Sequence, residues 1–172
     1  MDMDRDIVGG ASPLLPDIEP LAFLLGAWRG AGRGEYPTVE PFTYEEELEF
    51  ANVGKPYLTY RQRTWVVRDG DRVPSHMEFA FWRPRPGGSL EVISAHPNGV
   101  AEVEVGLVEG SRVTLRSETV ARSPSAKEVV RLERAFVATD DVLEYDVQME
   151  AVGQRLGTHL HAELRRSGRS PS

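Results

Sequence analysis

The feature of this 172-residue chain that most limits its fold is the regular spacing of its turn-forming residues. Clusters rich in Gly, Pro, Asn, Asp and Ser recur at intervals of about ten residues, which is typical of short strands joined by tight turns. These clusters read VGKP, RDGDR, RPRPGG, HPNG, VEGS, ARSPSA and TDD. Such intervals leave no room for the crossover helices that parallel strands need, so neighbouring strands are predicted to pair antiparallel.

The segments between the clusters have the side-chain alternation of half-buried strands. Residues 143–150 alternate apolar and polar side chains with a period of two. Residues 100–105 do the same, and their carboxylates, Glu102 and Glu104, are predicted to point outward. Counting such segments predicts about ten strands, near residues 27–34, 42–51, 57–67, 74–84, 89–95, 99–107, 111–119, 127–137, 142–150 and 158–166.

A row of ten strands leaves two long exposed edges unless the sheet closes on itself. We therefore predict an all-β fold, a ten-stranded antiparallel up-and-down barrel, which at this strand number can enclose a ligand cavity. One short N-terminal helix is predicted in PDIEPLAFLLG, with Asp17 as its cap and Gly26 as its end. The predicted organisation is a flexible leader at 1–16, the barrel at 17–166 and a disordered tail at 167–172.

Composition narrows the functions open to such a barrel. The chain has no cysteine, which excludes disulfides, thiolate metal sites, cysteine nucleophiles and covalent c-type haem. Its net charge is −7 and it has no basic stripe, so neither nucleic acid nor a membrane surface is expected as a partner. The start, MDMDRDIVGG, has no signal-peptide core, and no apolar run is long enough to span a membrane. A soluble cytoplasmic protein is the expectation.

The segment GAWRGAGRGEYPT is the densest local signal in the chain. Its alternating Gly30, Gly32 and Gly34 match neither a dinucleotide-binding turn nor a P-loop, so phosphate binding is disfavoured. Glycine at every second position leaves one face of a strand without side chains, so another group can approach the backbone closely. Two compatible interpretations stay open: a sharply bent first strand with Trp28 plugging the barrel floor, and a wall that makes room for a flat ligand.

An acidic run and four histidines are the remaining candidates for a chemical site. The run YEEELEF, residues 44–50, is predicted to be a solvated strand face, and His76 an exposed residue at the start of a strand. His96 lies in the hairpin AHPNG, where a capping role is favoured over metal ligation. His159 and His161 are predicted to share one strand face, which pattern alone assigns to water. The pattern does not decide their role, because the inner wall of a ligand-binding barrel can be polar.

Four segments resemble the nitrobindin family, in the order in which that family has them. The first is LGAWRGAGRGEYPTVEPFTYEEELEF, with the motif G-x-W-x-G-x-G at Gly26, Trp28, Gly30 and Gly32. The others are AHPNGVAEVEVG, SPSAKEVVRLERAF and AVGQRLGTHLHAELRR, so that the resemblance covers roughly residues 20–166. It implies a ten-stranded barrel related to fatty-acid-binding proteins, with one non-covalent haem b per chain near one mouth. It also implies isomerisation of peroxynitrite to nitrate at ferric haem.

The resemblance also implies which residues contact the haem. The axial ligand of a five-coordinate haem iron falls on His159, and Thr38 and Lys127 fall where the family contacts the haem; no catalytic side chain is implied beyond the iron. A neutral imidazole is a natural ligand for haem iron, and a lysine suits a propionate. His161 departs from the family, which gives it no role. Neighbours on one strand cannot reach opposite faces of one haem, so His159 and His161 cannot both ligate the same iron.

Two functions of different classes remain open. The first is a haem-dependent peroxynitrite isomerase, in which the protein supplies the axial ligand and the pocket. The second is a non-catalytic carrier or sensor of haem, nitric oxide or an apolar ligand, because a fold does not determine a function. A Soret band in the purified protein would exclude a carrier of apolar ligands such as fatty acids, and the nitrate yield from peroxynitrite would separate an isomerase from a nitric oxide carrier.

Overall fold

The computed structural model describes residues 12–167 and arranges their ten strands in one closed antiparallel barrel. Each strand pairs with its neighbours in the chain, and β1 pairs with β10 to close the ring. The strands are β1 (Gly26–Tyr36), β2 (Val39–Asn52), β3 (Leu58–Arg68), β4 (Asp71–Pro84), β5 (Ser89–Ala95), β6 (Val100–Glu109), β7 (Arg112–Arg122), β8 (Val129–Thr139), β9 (Val142–Ala151) and β10 (Gly157–Ser167). The predicted up-and-down barrel is confirmed.

The predicted leader and tail fall mostly outside the described residues, which include only residues 12–16 of the first and Ser167 of the second. No helix within residues 12–167 is long and apolar enough to cross a membrane.

A short helix and Trp28 close one end of the barrel, which we call the floor. The helix is a 3₁₀ helix, Pro16–Leu24, and it contains Pro20, which lacks the N–H that a longer α-helix would use. Asp17 lies in its first turn, and no side chain caps it. The indole Nε1 of the fully buried Trp28 donates to the carbonyl oxygen of Leu24 at 2.8 Å. Trp28 therefore plugs the floor, which agrees with one of the two interpretations that the sequence left open.

The glycines of β1 allow close contact with the neighbouring strands. A Cβ atom at Gly30 would overlap the main chain of β10 at Glu163. A Cβ atom at Gly32 would overlap the ring of Tyr44, and one at Gly34 the ring of Phe42. The flat groups that lie against this glycine face are therefore two aromatic rings of β2.

The interior of the barrel near the floor is apolar. Phe50, Trp82 and Phe136 form a buried aromatic layer there, in which the Trp82 ring meets the other two nearly at right angles, with ring centres 4.9 and 5.3 Å away. Above this layer several charged side chains are buried inside the barrel. Glu102 and Glu104 are among them, only 2% and 0% exposed, so their predicted outward orientation is wrong.

The alternation of β6 explains that correction. Glu102 and Glu104 are in phase with buried Val100, while Ala101 and Val103 point outward. Because side chains alternate strictly along a strand, the phase of the buried valine determines the direction of the two carboxylates. Their polarity is accommodated by a buried arginine from another strand.

Candidate functional site

The barrel encloses a cavity of about 290 Å³ towards the end opposite Trp28, which we call the rim. This volume is close to the lower end of the range for ligand pockets, about 300–1,000 Å³. Its deeper wall carries carboxylates, hydroxyl groups and one guanidinium. Its outer wall carries His76, His96 and His159 together with apolar side chains.

His159 reaches this cavity because β10 has a bulge. Thr158 pairs with Gln148 of β9 and Leu160 pairs with Val147, so His159 is an extra residue between two consecutive pairs. A bulge disrupts the regular alternation locally and redirects a side chain. As a result His159 and its chain neighbour Leu160 both line the cavity.

His161 lies beyond the bulge and points out of the barrel. Its Nδ1 atom is 2.8 Å from Oδ1 of Asp146, and its side chain is 31% exposed. The predicted shared face for His159 and His161 is therefore wrong. The extra residue in β10 changes the alternation between the two positions, and a two-residue spacing alone does not reveal that.

The surroundings of His159 determine which of its ring nitrogens faces a ligand. Nδ1 lies 3.2 Å from the main-chain oxygen of Glu35. A carbonyl oxygen only accepts hydrogen bonds, so Nδ1 carries the proton and Nε2 keeps its lone pair. Burial lowers the pKa of His159 below its usual value, and the hydrogen bond to Glu35 only partly opposes this effect. The imidazole is therefore neutral at pH 7.

The donor set around His159 fits a haem. Histidines that ligate metals commonly donate their second ring N–H to a carbonyl or carboxylate, as His159 does to Glu35. The Tyr36 ring packs edge-on against the imidazole at a centroid distance of 5.5 Å and fixes its plane. The cavity wall nearest to it on β8, β9 and β10 is apolar, formed by Val129, Leu132, Val147, Met149 and Leu160.

Thr38 and Lys127 lie at the same end of the barrel as His159. Thr38 is in the turn between β1 and β2, and Lys127 is in the loop between β7 and β8. Both side chains are exposed, and neither belongs to the side chains that line the cavity. Their contacts with haem stay predictions. Such contacts would involve parts of the haem that project from the cavity at the rim.

Arg134 of β8 is the centre of the deeper polar wall. Its Nη1 donates to both carboxylate oxygens of Glu78 at 2.9 and 3.0 Å, and its Nη2 donates to Glu102 at 3.2 Å. Its Nε lies 3.0 Å from Glu104 without the alignment of a hydrogen bond. One guanidinium therefore faces three carboxylates.

The carboxylates around Arg134 differ in protonation. Burial favours the neutral form of Glu102, but hydrogen bonds from His96 and Ser117 and the charge of Arg134 lower its pKa to about 2. Burial raises the pKa of Glu104 to about 8 despite the nearby guanidinium. Neither oxygen of Glu104 has a hydrogen-bond partner within the described residues. Glu104 is therefore the carboxyl that holds a proton at pH 7.

A second buried carboxyl lies across the cavity on β2. Glu46 accepts hydrogen bonds from the Tyr145 hydroxyl and from Nε2 of Gln62, both at 2.6 Å. Burial raises its pKa to about 7. The predicted solvated face is thus correct for Glu45, Glu47 and Glu49, which pair with arginines outside, and wrong for Glu46.

His76 and His96 meet at the rim. His76 lies within β4 and is half-buried, so its predicted exposed position at the start of a strand is wrong. The side chain of His96 is only 7% exposed and contacts Glu102 and Ser94 instead of capping the hairpin. Nε2 of His76 lies 3.2 Å from Nδ1 of His96. Burial lowers the pKa of His76 to about 4.

Strand phase is the sequence signal that could have found one of these buried polar residues. Arg134 is in phase with Phe136, so counting in twos from that phenylalanine places the arginine inside the barrel. The same count fails for His76 and Glu78, because β4 has aromatic residues on both faces and Phe81 is 48% exposed.

Comparison with known proteins identifies the family to which this barrel is similar. Residues 17–166 match the family described as "THAP4-like, heme-binding beta-barrel domain". "Peroxynitrite isomerase 1" of Mycolicibacterium paratuberculosis is 48% identical over 157 residues, which cover 89% of this chain and 96% of that protein. "Peroxynitrite isomerase 2" of Mycobacterium marinum is 46% identical with the same coverage.

A solved structure agrees with these relatives. The crystal structure of Rv2717c from M. tuberculosis superimposes with a TM-score of 0.85 at 44% sequence identity, covering 91% of this chain and 100% of that one. The match spans the whole barrel, and it confirms the family that the resemblance to nitrobindins predicted. This chain belongs to the family of THAP4-like haem-binding β-barrels.

Proposed function

We propose that this chain binds one haem b at the rim of its cavity, with His159 as the axial ligand, and isomerises peroxynitrite to nitrate. The description of the family and the names of the relatives support the cofactor and the reaction. The observation that carries the proposal is the bulge in β10, which directs a neutral imidazole with a free Nε2 lone pair into the cavity.

The residues around His159 would bind and orient the group. A haem held there would supply a Lewis-acidic iron for the chemistry of a small anion. The carbonyl of Glu35 holds the proton of His159 on Nδ1, so that Nε2 is the donor. The apolar wall beside His159 excludes water from the reacting anion. Lys127 supplies a point charge at the rim for a propionate.

The deeper polar wall limits the repulsion that an anion would meet. Four carboxyl groups are buried there: Glu78, Glu102 and Glu104 surround the guanidinium of Arg134, and Glu46 lies across the cavity from it. Protons on Glu104, and in part on Glu46, reduce the negative charge of that wall at neutral pH. An acidic chain gains no long-range steering of an anion, and these protons lessen the local repulsion without reversing it.

A non-catalytic carrier of haem or nitric oxide would use the same His159. A carrier of long apolar ligands is disfavoured by the structure, because such a ligand would lie against Arg134 and its carboxylates.

The test compares the haem-loaded protein with the haem-free protein. Stopped-flow mixing with peroxynitrite measures its decay, and ion chromatography measures the nitrate yield. We expect faster decay and a higher nitrate yield in the haem-loaded wild type and in His161→Ala. Equal decay and yield with and without haem would overturn the isomerase and leave the carrier. A Soret band that stays unchanged from that of free haem when the protein is added would overturn both.

A further inference from the structure

We infer that His76, His96 and Glu78 form a second site, distinct from the haem site, for one divalent first-row transition-metal cation. Glu102 is the positioning residue that orients His96 within it. The site lies across the cavity from His159, because β4 carries His76 and Glu78 and is four strands away from β10 by way of β1, while His96 follows β5, the next strand. The proposal does not depend on haem.

The three candidate ligand atoms are already arranged around a common centre. Each of the three residues offers one ligand atom, and these atoms all lie within 4.8 Å of one another. Nε2 of His76 is 3.2 Å from Nδ1 of His96, which is in turn 3.8 Å from Oε2 of Glu78. Two nitrogens bound to a tetrahedral metal at about 2.0–2.1 Å are separated by roughly 3.3 Å. The spacing of the two imidazoles therefore matches that of metal ligands.

The protonation of His96 also suits a metal. Its Nε2 lies 3.2 Å from Oε1 of Glu102. The same Oε1 accepts a hydrogen bond from Arg134 at 3.2 Å, and Oε2 of Glu102 accepts one from Ser117 at 2.6 Å. An ionised carboxylate only accepts hydrogen bonds, so Nε2 of His96 carries the proton and Nδ1 presents its lone pair towards His76 and Glu78. Glu102, His96 and the cation would form the carboxylate–histidine–metal arrangement that is common around bound metals.

His76 completes the pair of imidazoles through a change of tautomer. Without a metal, Nε2 of His76 carries a proton and donates a hydrogen bond to Nδ1 of His96. With a metal, the proton of the neutral ring moves to Nδ1, and Nε2 becomes the second nitrogen ligand. The two rings are nearly parallel, at an interplanar angle of 28° and a centroid distance of 5.4 Å, so this exchange requires no large movement.

Glu78 supplies the oxygen ligand and part of the charge. Arg134 fixes its carboxylate by hydrogen bonds to both oxygens, and each oxygen keeps a lone pair for a cation. Glu78 and Glu102 are both hydrogen-bonded to the one guanidinium of Arg134, so two carboxyl groups share a single positive group beside the histidines. Two histidines and one carboxylate are a ligand set that binds first-row divalent metals and leaves positions open for water or an anion.

The experiment measures binding of Co²⁺, whose visible absorption reports four-coordinate nitrogen and oxygen ligation. The full chain is loaded with haem so that His159 is occupied, and other metals are removed with a chelator. The protein is then titrated with Co²⁺, and the difference between the absorption spectra with and without Co²⁺ is recorded. We expect one Co²⁺ per chain in the wild type. His76→Gln and His96→Gln should each weaken binding at least about 100-fold, and Glu102→Gln by about 10–100-fold. His161→Ala is the matched control, because it removes a histidine that pairs with a carboxylate on the outer face.

Each outcome has a defined meaning. Equal Co²⁺ affinity in His161→Ala and the wild type, with loss in His76→Gln, supports the site. No Co²⁺ uptake by the wild type, or equal uptake by wild type and His76→Gln, overturns it and leaves a hydrogen bond between two neutral histidines. Urea unfolding of each variant tests whether it is folded. If the chain binds no haem, the same titration of the haem-free His159→Ala variant decides the metal site independently of the proposed function.

Discussion

His159 and His161 are two positions apart on β10, yet their side chains lie on opposite sides of the barrel wall. His159 lines the cavity, and Nδ1 of His161 contacts Asp146 outside at 2.8 Å. The bulge between Thr158 and Leu160 produces this difference. One imidazole is therefore available to a ligand inside the barrel, and the other belongs to the outer surface.

The first prediction concerns haem binding by these two histidines. We expect that His159→Ala abolishes stable haem binding, because the variant loses the nitrogen donor at the rim. We expect that His161→Ala retains haem and a five-coordinate spectrum. Titration of each haem-free variant with hemin, followed at the Soret band, measures the difference. Loss of haem in His161→Ala with retention in His159→Ala would reverse the assignment. A six-coordinate bis-histidine spectrum would show that His76 or His96 reaches the far face.

Lys127 is expected to make a modest contribution to haem affinity. Its side chain is exposed at the rim, and a partly exposed ion pair contributes only about 0–1 kcal/mol. Lys127→Ala should therefore release haem to apomyoglobin at most about five times faster than the wild type does. Lys55→Ala is the matched control, because Lys55 is the only other lysine and follows β2 at the floor. Complete loss of haem in Lys127→Ala would contradict a propionate contact of this kind.

The sequence predicted the barrel because its signals are local. Strand alternation and turns at intervals of about ten residues indicate antiparallel neighbours, and the cost of open edges indicates closure. Each of these features is read from one segment and its immediate neighbour. The family resemblance then selected His159 from four histidines, which strand pattern alone does not do.

The buried polar wall is not predictable from local signals, because its partners come from distant strands. Arg134 and Glu78 are 56 positions apart in the chain, and Arg134 and Glu102 are 32 apart. The position of the bulge at His159 likewise depends on the register with β9, which no residue of β10 encodes by itself. Prediction from side-chain polarity places charged residues on the outer face, because it does not consider a partner on a distant strand.

The glycine motif predicts a stability effect that is separate from haem. A Cβ atom at Gly30 would overlap the carbonyl of Glu163 and the Cα atom of Leu164, which are rigid main-chain atoms of β10. Gly30→Ala should therefore lower the free energy of unfolding by about 1–3 kcal/mol. In Gly157→Ala the new Cβ atom would make only an ordinary contact, 3.7 Å from the main-chain oxygen of Arg155, so its effect should be smaller. Urea unfolding of both haem-free variants measures this, and equal effects would contradict the close approach of β10 to Gly30.

Burial raises the pKa of Glu46 from 4.5 to about 7, and this makes the stability of the protein depend on pH. Between those two pH values the folded protein keeps the proton that the unfolded chain has lost, so raising the pH stabilises the unfolded chain. The contribution is fully present below pH 4.5 and is lost as the pH rises through 7. The loss amounts to at most about 3 kcal/mol, at roughly 1.4 kcal/mol for each pH unit. Glu46→Gln keeps a neutral side chain beside Tyr145 and Gln62 and lacks this titration.

Urea unfolding of wild type and Glu46→Gln at pH 5, 6, 7 and 8 tests this. The free energy of unfolding of the wild type should fall relative to that of the variant as the pH rises to about 7, and the difference should then level off. Burial also raises the pKa of Glu104. Because Glu104 titrates in both proteins, its effect largely cancels from the difference between their free energies of unfolding. Parallel curves, or a wild type that gains stability relative to the variant with rising pH, would show that Glu46 is ionised throughout and that its hydrogen bonds from Tyr145 and Gln62 outweigh its burial.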